Sequence, residues 1–164
     1  SRPWSAISPP MFWNRSSRRT AFAQRPDRRA MSVDPTRSRT MRAVKSRDTK
    51  PEMIVRRLVH ALGYRYRLHR SDLPGKPDLA FGPRRKVIFV HGCFWHGHHC
   101  KRGARVPKTN TAYWVAKIDR NRTRDAESAA ALTQRGWAVL AVWECEIKDR
   151  EALAIRLHEF LISS

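Results

Sequence analysis

The sequence predicts an α/β sandwich, a small mixed sheet flanked by helices. Three observations carry this. PEMIVRRLVHALG (51–63) has helical spacing of its apolar residues, VIFV (87–90) and WAVLAVWE (137–144) are apolar runs bounded by polar residues, and two further helical patterns follow at 110–135 and 150–161.

In the first helix, Met53, Ile54, Leu58 and Leu62 fall near one face, with Pro51 suited to the first turn and Gly63 to the stop. YRYRLH (64–69) alternates as a half-buried strand does. After the turn LPGKP, the segments PDLAF (77–81) and KVIFVHG (86–92) are joined by GPRR and read as a strand pair. The continuous runs VIFV and WAVLAVWE mark strands buried on both faces. The long helix TNTAYWVAKIDRNRTRDAESAAALTQR ends at Gly136. REALAIRLHEFL closes the chain with Leu153, Leu157, Phe160 and Leu161 inward.

Residues 1–30 follow neither period: they hold seven Arg, one acid and four Pro. They read as a disordered basic extension, with 31–164 as a single domain. An Arg-rich, acid-poor leader suits an organelle transit peptide. Sequence translated ahead of a start at Met31 is the favoured origin, because MSVDPTRSRTMRAVKSRDTKPE is a complete polar lead-in to the first helix.

The 164 residues carry 34 Lys plus Arg against 14 Asp plus Glu, a net charge of +20. Such an excess repels itself without an anionic partner, and nucleic acid is the leading class. There is no apolar run of about 18 residues to span a membrane and no basic helix with a clean apolar face. Three cysteines beside histidines argue against a secreted disulfide framework. With no apolar leader segment, the chain reads as intracellular, in the cytoplasm.

HGCFWHGHHC (91–100) concentrates four of the seven histidines and two of the three cysteines. Cys93, His98 and Cys100, joined by Cys145 after the last strand, make a closed tetrahedral set that suits structural zinc. His99 fits the spacing as well as His98. The plainer alternative is a buried core thiol with a surface histidine cluster. Four ligands leave zinc no open position for water, so His91 and His96 remain for other work.

Asp78, after Pro77 and at the start of a strand, offers a carboxylate to magnesium, a hard cation that prefers oxygen. The metal would stabilise charge developing on a phosphodiester. His91 and His96 lie just beyond the neighbouring strand, and Glu52 lies on the first helix. A histidine near its ordinary pKa of about 6.5 takes a proton from water at neutral pH. His96 is the expected general base, with His91 nearer the leaving oxygen, and the two roles are interchangeable.

TMRAVKSRDTKPE, LPGKPDL, VIFVHGCFWHGHHC, YWVAKIDRNRTRD and VLAVWEC together resemble the very short patch repair mismatch endonucleases, over about residues 34–162. That family nicks DNA beside T:G mismatches left by deamination of 5-methylcytosine. The resemblance implies a restriction-endonuclease-like core of the PD-(D/E)xK type, with zinc on Cys93, His98, Cys100 and Cys145. It implies magnesium on Asp78 and the Val90 backbone carbonyl, supported by Glu52, His91 and His96. Val90 stands where other members carry Thr, which a main-chain ligand tolerates. Gly97 replaces a further family histidine, a change expected to matter little. The resemblance also implies that Phe94, Trp95, Trp114 and Met41 wedge into the base stack, and that Arg42, Lys117 and Asn121 contact DNA. It implies cooperation with a MutL-type mismatch-repair protein. Nothing resembles a dimer seam, so a monomer is expected. Two other functions remain open: a restriction-type site-specific endonuclease, and a zinc-stabilised DNA-binding module without activity. Glu52 and Asp78 speak against the second, since carboxylates beside a phosphate track repel DNA.

Overall fold

The computed structural model describes residues 47–163. The proposed extension 1–30, together with Met41 and Arg42, lies outside the described residues. Helix α1 (Lys50–Ala61) starts at the Thr49 cap, whose hydroxyl accepts the Glu52 N–H, with Pro51 in the first turn. It stops at Gly63, whose φ of +86° is a left-handed conformation that glycine adopts without strain. Strands β1 (Arg67–Leu68), β2 (Leu79–Phe81) and β3 (Lys86–His91) follow, then helix α2 (Thr111–Gln134), strand β4 (Ala138–Trp143) and helix α3 (Arg150–Ile162).

The sheet order is β1-β2-β3-β4. The β1–β2 and β2–β3 pairs are antiparallel, while β3 and β4 run parallel, register Lys86↔Ala138 to His91↔Trp143. Among the described residues, a mixed four-strand sheet with three helices gives the small mixed α/β class that was expected.

Two-residue alternation sorts the side chains between two cores. Leu79, Phe81, Ile88 and Val142 pack with Val55 and Val59 of α1 and Leu153, Leu157 and Leu161 of α3. Ala80, Val87 and Leu132 pack on the opposite face with Leu73, Phe89 and Val139. The sheet is therefore covered on both sides, α1 and α3 on one and the end of α2 on the other. His91 has the parity of Val87 and Phe89, and its ring stacks on Phe89 at 5.8 Å. The last residue of the central strand is thereby aimed at the α2 layer.

Several expectations change. Val55 and Val59 centre the buried face of α1, while Ile54, Leu58 and Leu62 only border it. Of YRYRLH, only Arg67 and Leu68 pair as strand, and both are exposed. The tyrosines keep the alternation but pack on the core from irregular chain. In β4 only Val142 is fully buried, because β4 is a sheet edge with one strand neighbour.

Lys86, only 4% exposed, is a charged residue at the start of an apolar strand. Its Nζ donates to the Phe160 carbonyl at 2.8 Å and to Ser163 Oγ at 3.1 Å, closing the C-terminus of α3. A cation at a helix C-terminus meets carbonyls that have no partner within the helix.

Candidate active site and metal cluster

One side-chain cluster is built by the loop after β3. Cys93, His98, Cys100 and Cys145 place one ligand atom each within 4.8 Å of one another. The loop turns back through His98 N–H to the Cys93 carbonyl at 3.0 Å and Ala104 N–H to the Cys100 carbonyl at 2.9 Å. Gly103 closes it: a Cβ there would lie 2.1 Å from the His98 oxygen, so no other residue fits without moving the backbone. Cys145 arrives one residue beyond Glu144, whose N–H donates to the His91 carbonyl at 2.9 Å. His98, not the exposed His99, belongs to this cluster, and its ring stacks on Trp143 at 4.3 Å. Burial pushes the Cys93 thiol up to about 12 and also raises Cys145, whereas the His98 imidazole beside it pulls Cys100 down to about 6. Three thiols and one imidazole converging on a point are a soft, four-donor set.

The second feature is a cavity of about 500 Å3, lined among others by Glu52, Asp78, Val90, His91, His96, Arg124 and Asp125. The sequence-derived residues Asp78, His91, His96 and Glu52 thus meet in one place, drawn from α1, the start of β2, the end of β3 and the following loop. Asp78 Oδ2 accepts the Val90 N–H at 2.7 Å. Burial pushes the Asp78 carboxyl up to about 6, and the Glu52 carboxylate adds to this. The Val90 amide, His69 and Arg56 oppose the rise. His91 is driven down to about 4 by burial and by His96, whose ring centroid is 4.1 Å away. It is therefore neutral at physiological pH.

Asp125, on α2, was not among the sequence-derived candidates. Its Oδ2 pairs with Nδ1 of His96, leaving Nε2 as that ring's other nitrogen. The signal was present as a stripe: Trp114, Ile118, Asn121, Asp125 and Ser128 are spaced 4-3-4-3 along one helical face. Three of these seat three consecutive loop residues. Asn121 Nδ2 donates to the Trp95 carbonyl at 2.8 Å, and Asp125 holds His96. Gly97, at φ +60°, leaves room for Ile118, whose Cγ2 would be 2.7 Å from a Cβ. In this chain the glycine suits the close packing of Ile118 against the loop.

Beside this seat lies an aromatic cluster. Phe94 is 5.1 Å from Trp95 and 5.6 Å from Trp114, with Trp95 and Trp114 at 6.0 Å. Lys117 Nζ lies over the rings of Trp95 at 5.3 Å and Trp114 at 5.5 Å, and over that of the exposed Tyr113 at 5.7 Å. Asn121 is occupied at both ends, because its Oδ1 accepts from Arg124 at 3.2 Å. None of the three large rings joins either buried core. Among the described residues no helix is long and apolar enough to cross a membrane.

A family model described as DNA mismatch endonuclease Vsr matches residues 31–102. The type II nicking enzyme V.XorIIP of Xanthomonas oryzae pv. oryzae is 52% identical over 130 residues, covering 79% of this chain and 95% of that enzyme. The DNA mismatch endonuclease Vsr of Escherichia coli is 44% identical over 131 residues, covering 77% of this chain and 83% of its own. The type II nicking enzyme V.NmeAIP of Neisseria meningitidis serogroup A is 40% identical over 125 residues, covering 76% and 89%. Likeness at this level over nearly the whole of these relatives, together with the family model, places the chain in the Vsr family and makes it a DNA endonuclease.

Proposed function

We propose that this endonuclease nicks one strand of duplex DNA beside T:G mismatches arising from deamination of 5-methylcytosine. The observation that carries the reading is the shared seat of Trp95, His96 and Gly97 on α2, which joins an aromatic cluster to the Asp78 cavity. A relative named as a mismatch endonuclease and others named as nicking enzymes point the same way.

Asp78 and the Val90 carbonyl would hold magnesium. The donor set fits: carboxylate and carbonyl oxygens suit a hard cation, and the Val90 N–H occupies Oδ2 of Asp78, leaving Oδ1 available. When bound, the ion offsets negative charge on the phosphate oxygens in the transition state. His96 Nε2 takes a proton from water while Asp125 steadies the resulting imidazolium. The water oxygen bonds to phosphorus, the bond to the leaving sugar oxygen breaks, and that oxygen takes up a proton from solvent. His91, neutral because it is buried, donates a ring N–H hydrogen bond towards that oxygen. Cys93, His98, Cys100 and Cys145 would hold zinc, whose role is to fix the loop that carries His96. Asp78 beside β2 and His91 at the end of β3 suit the edge-of-sheet site of a restriction-endonuclease-like core.

A T:G wobble stacks poorly, so opening the step there costs less than at a matched pair. Phe94, Trp95 and Trp114 recover part of that cost by stacking on exposed bases, about 1–3 kcal/mol per base. A nicking assay in magnesium on matched and T:G duplexes tests the reading. One-strand cleavage confined to the mismatch is expected. Cleavage of both strands of matched DNA would instead show a restriction-type enzyme, and binding without cleavage a non-catalytic module.

A further inference from the structure

Asp48, Glu52 and His69 place ligand atoms within 4.8 Å of one another, as a divalent-ion site does. That space already holds a cation belonging to the chain. Arg56, one turn after Glu52 on α1 and only 6% exposed, donates from Nη1 to Asp48 Oδ1 at 2.5 Å and from Nη2 to Glu52 Oε2 at 3.1 Å. The same Nη2 lies 3.2 Å from His69 Nε2.

The remaining contacts of Glu52 complete the enclosure. Its Oε2 also accepts the Asp48 N–H at 2.9 Å, and its Oε1 accepts the Thr49 hydroxyl at 2.8 Å. His69 reaches the cluster from a left-handed backbone, φ +45°, a conformation that strains a residue other than glycine. Among the described residues, Arg56 Nε is the one buried side-chain nitrogen or oxygen with no hydrogen-bond partner. A buried guanidinium with one unsatisfied N–H is a poor way to gain stability, since apolar residues of similar volume do at least as well. Its neighbours Val55 and Val59 show that this face of α1 is otherwise apolar core. The arrangement makes sense as a device for Glu52, whose side chain lines the Asp78 cavity.

We infer that Arg56 is a positioning residue for the nicking reaction: its guanidinium fixes the Glu52 carboxylate at the Asp78 cavity and fills the Asp48–Glu52–His69 cluster in place of a second metal ion. This rests on the catalytic reading of that cavity given above. Arg56, buried and hydrogen-bonded to Glu52, acts on the site mainly through that carboxylate.

The test is a rate cycle on T:G duplex under single-turnover conditions, with magnesium titrated and the rates compared at saturation. It compares the full chain with Arg56→Met, Glu52→Gln and the double variant. Thermal unfolding of each is recorded separately, and rates are taken well below every transition. Arg56→Met is expected to nick about 10- to 100-fold more slowly and to need more magnesium for half-maximal rate. Arg56→Lys, which keeps the charge but not the fork, should restore part of the loss. In the Glu52→Gln background the Arg56→Met change should cost less than about twofold further, as expected for residues acting as one unit. Should Arg56→Met fail to fold, Arg56→Lys takes its place in the cycle. A wild-type rate in Arg56→Met, or a double variant whose loss equals the product of the single losses, overturns the inference while leaving the cavity reading intact. Glu52→Gln nicking as fast as wild type, or a wild-type chain that does not nick at all, overturns the cavity reading and this inference with it.

Discussion

Asn121 holds the carbonyl of Trp95 at 2.8 Å, one helical turn before Asp125 holds the ring of the next residue, His96. A residue of the aromatic cluster and the proposed general base are therefore adjacent in sequence and anchored to the same rigid helix. A shift of one cannot leave the other in place.

Asp125→Asn tests the dyad. The amide keeps the shape but cannot balance an imidazolium, so the nicking rate should fall by roughly 10²-fold while duplex binding holds. Single-turnover rates alongside binding titrations measure both. An unchanged rate removes Asp125 from the chemistry and returns the choice of base to His91 and His96 alike.

Trp95→Ala tests the wedge. The preference for T:G over matched duplex should shrink by an amount equivalent to about 1–3 kcal/mol. Nonspecific binding, which rests on Lys and Arg, should change little. If the preference survives and the protein melts at lower temperature, the ring is packing and no wedge.

Cys145→Ser tests the metal cluster. Removing one of four donors should release the ion and lower the unfolding temperature, with activity lost as a consequence. Elemental analysis of the wild-type chain should find one zinc. Its absence, or full stability in Cys145→Ser, contradicts the zinc assignment.

Asp78 gives magnesium uptake a pH signature. Burial raises its carboxyl to about 6, so below that pH the ion must displace a proton, and above it none. Apparent affinity should fall by up to ~10-fold per pH unit below the pKa and be flat above pH 7. His91, held near 4, stays neutral through most of this window and adds no proton of its own. Calorimetry in buffers of different ionisation enthalpy counts the protons, and no release at pH 5.5 would contradict a raised Asp78 carboxyl as the ligand.

Much of the site was legible because it lies near strand ends. Asp78, His91 and the cysteine-histidine string are fixed by local spacing, so the residues that meet could be chosen without knowing how the helices dock. His98 over His99 could not, since only the turn closed by Gly103 decides which imidazole faces Cys145. Asp125 and Arg56 were missed for the same reason. One sits 29 residues from its histidine, and the other is a charge on a face that reads as apolar. The apolar run of β4 suggested burial on both faces, but its place at the sheet edge leaves most of it only half-buried.

The most direct test pairs wild type with Asp78→Ala on a T:G duplex and its matched counterpart, in magnesium, with binding and strand cleavage both recorded. Wild type should nick one strand at the mismatch only. Asp78→Ala should bind as well or slightly better, having lost a negative charge near phosphate, and nick neither duplex. An Asp78→Ala variant that still nicks the mismatch at a comparable rate would contradict the account at its centre.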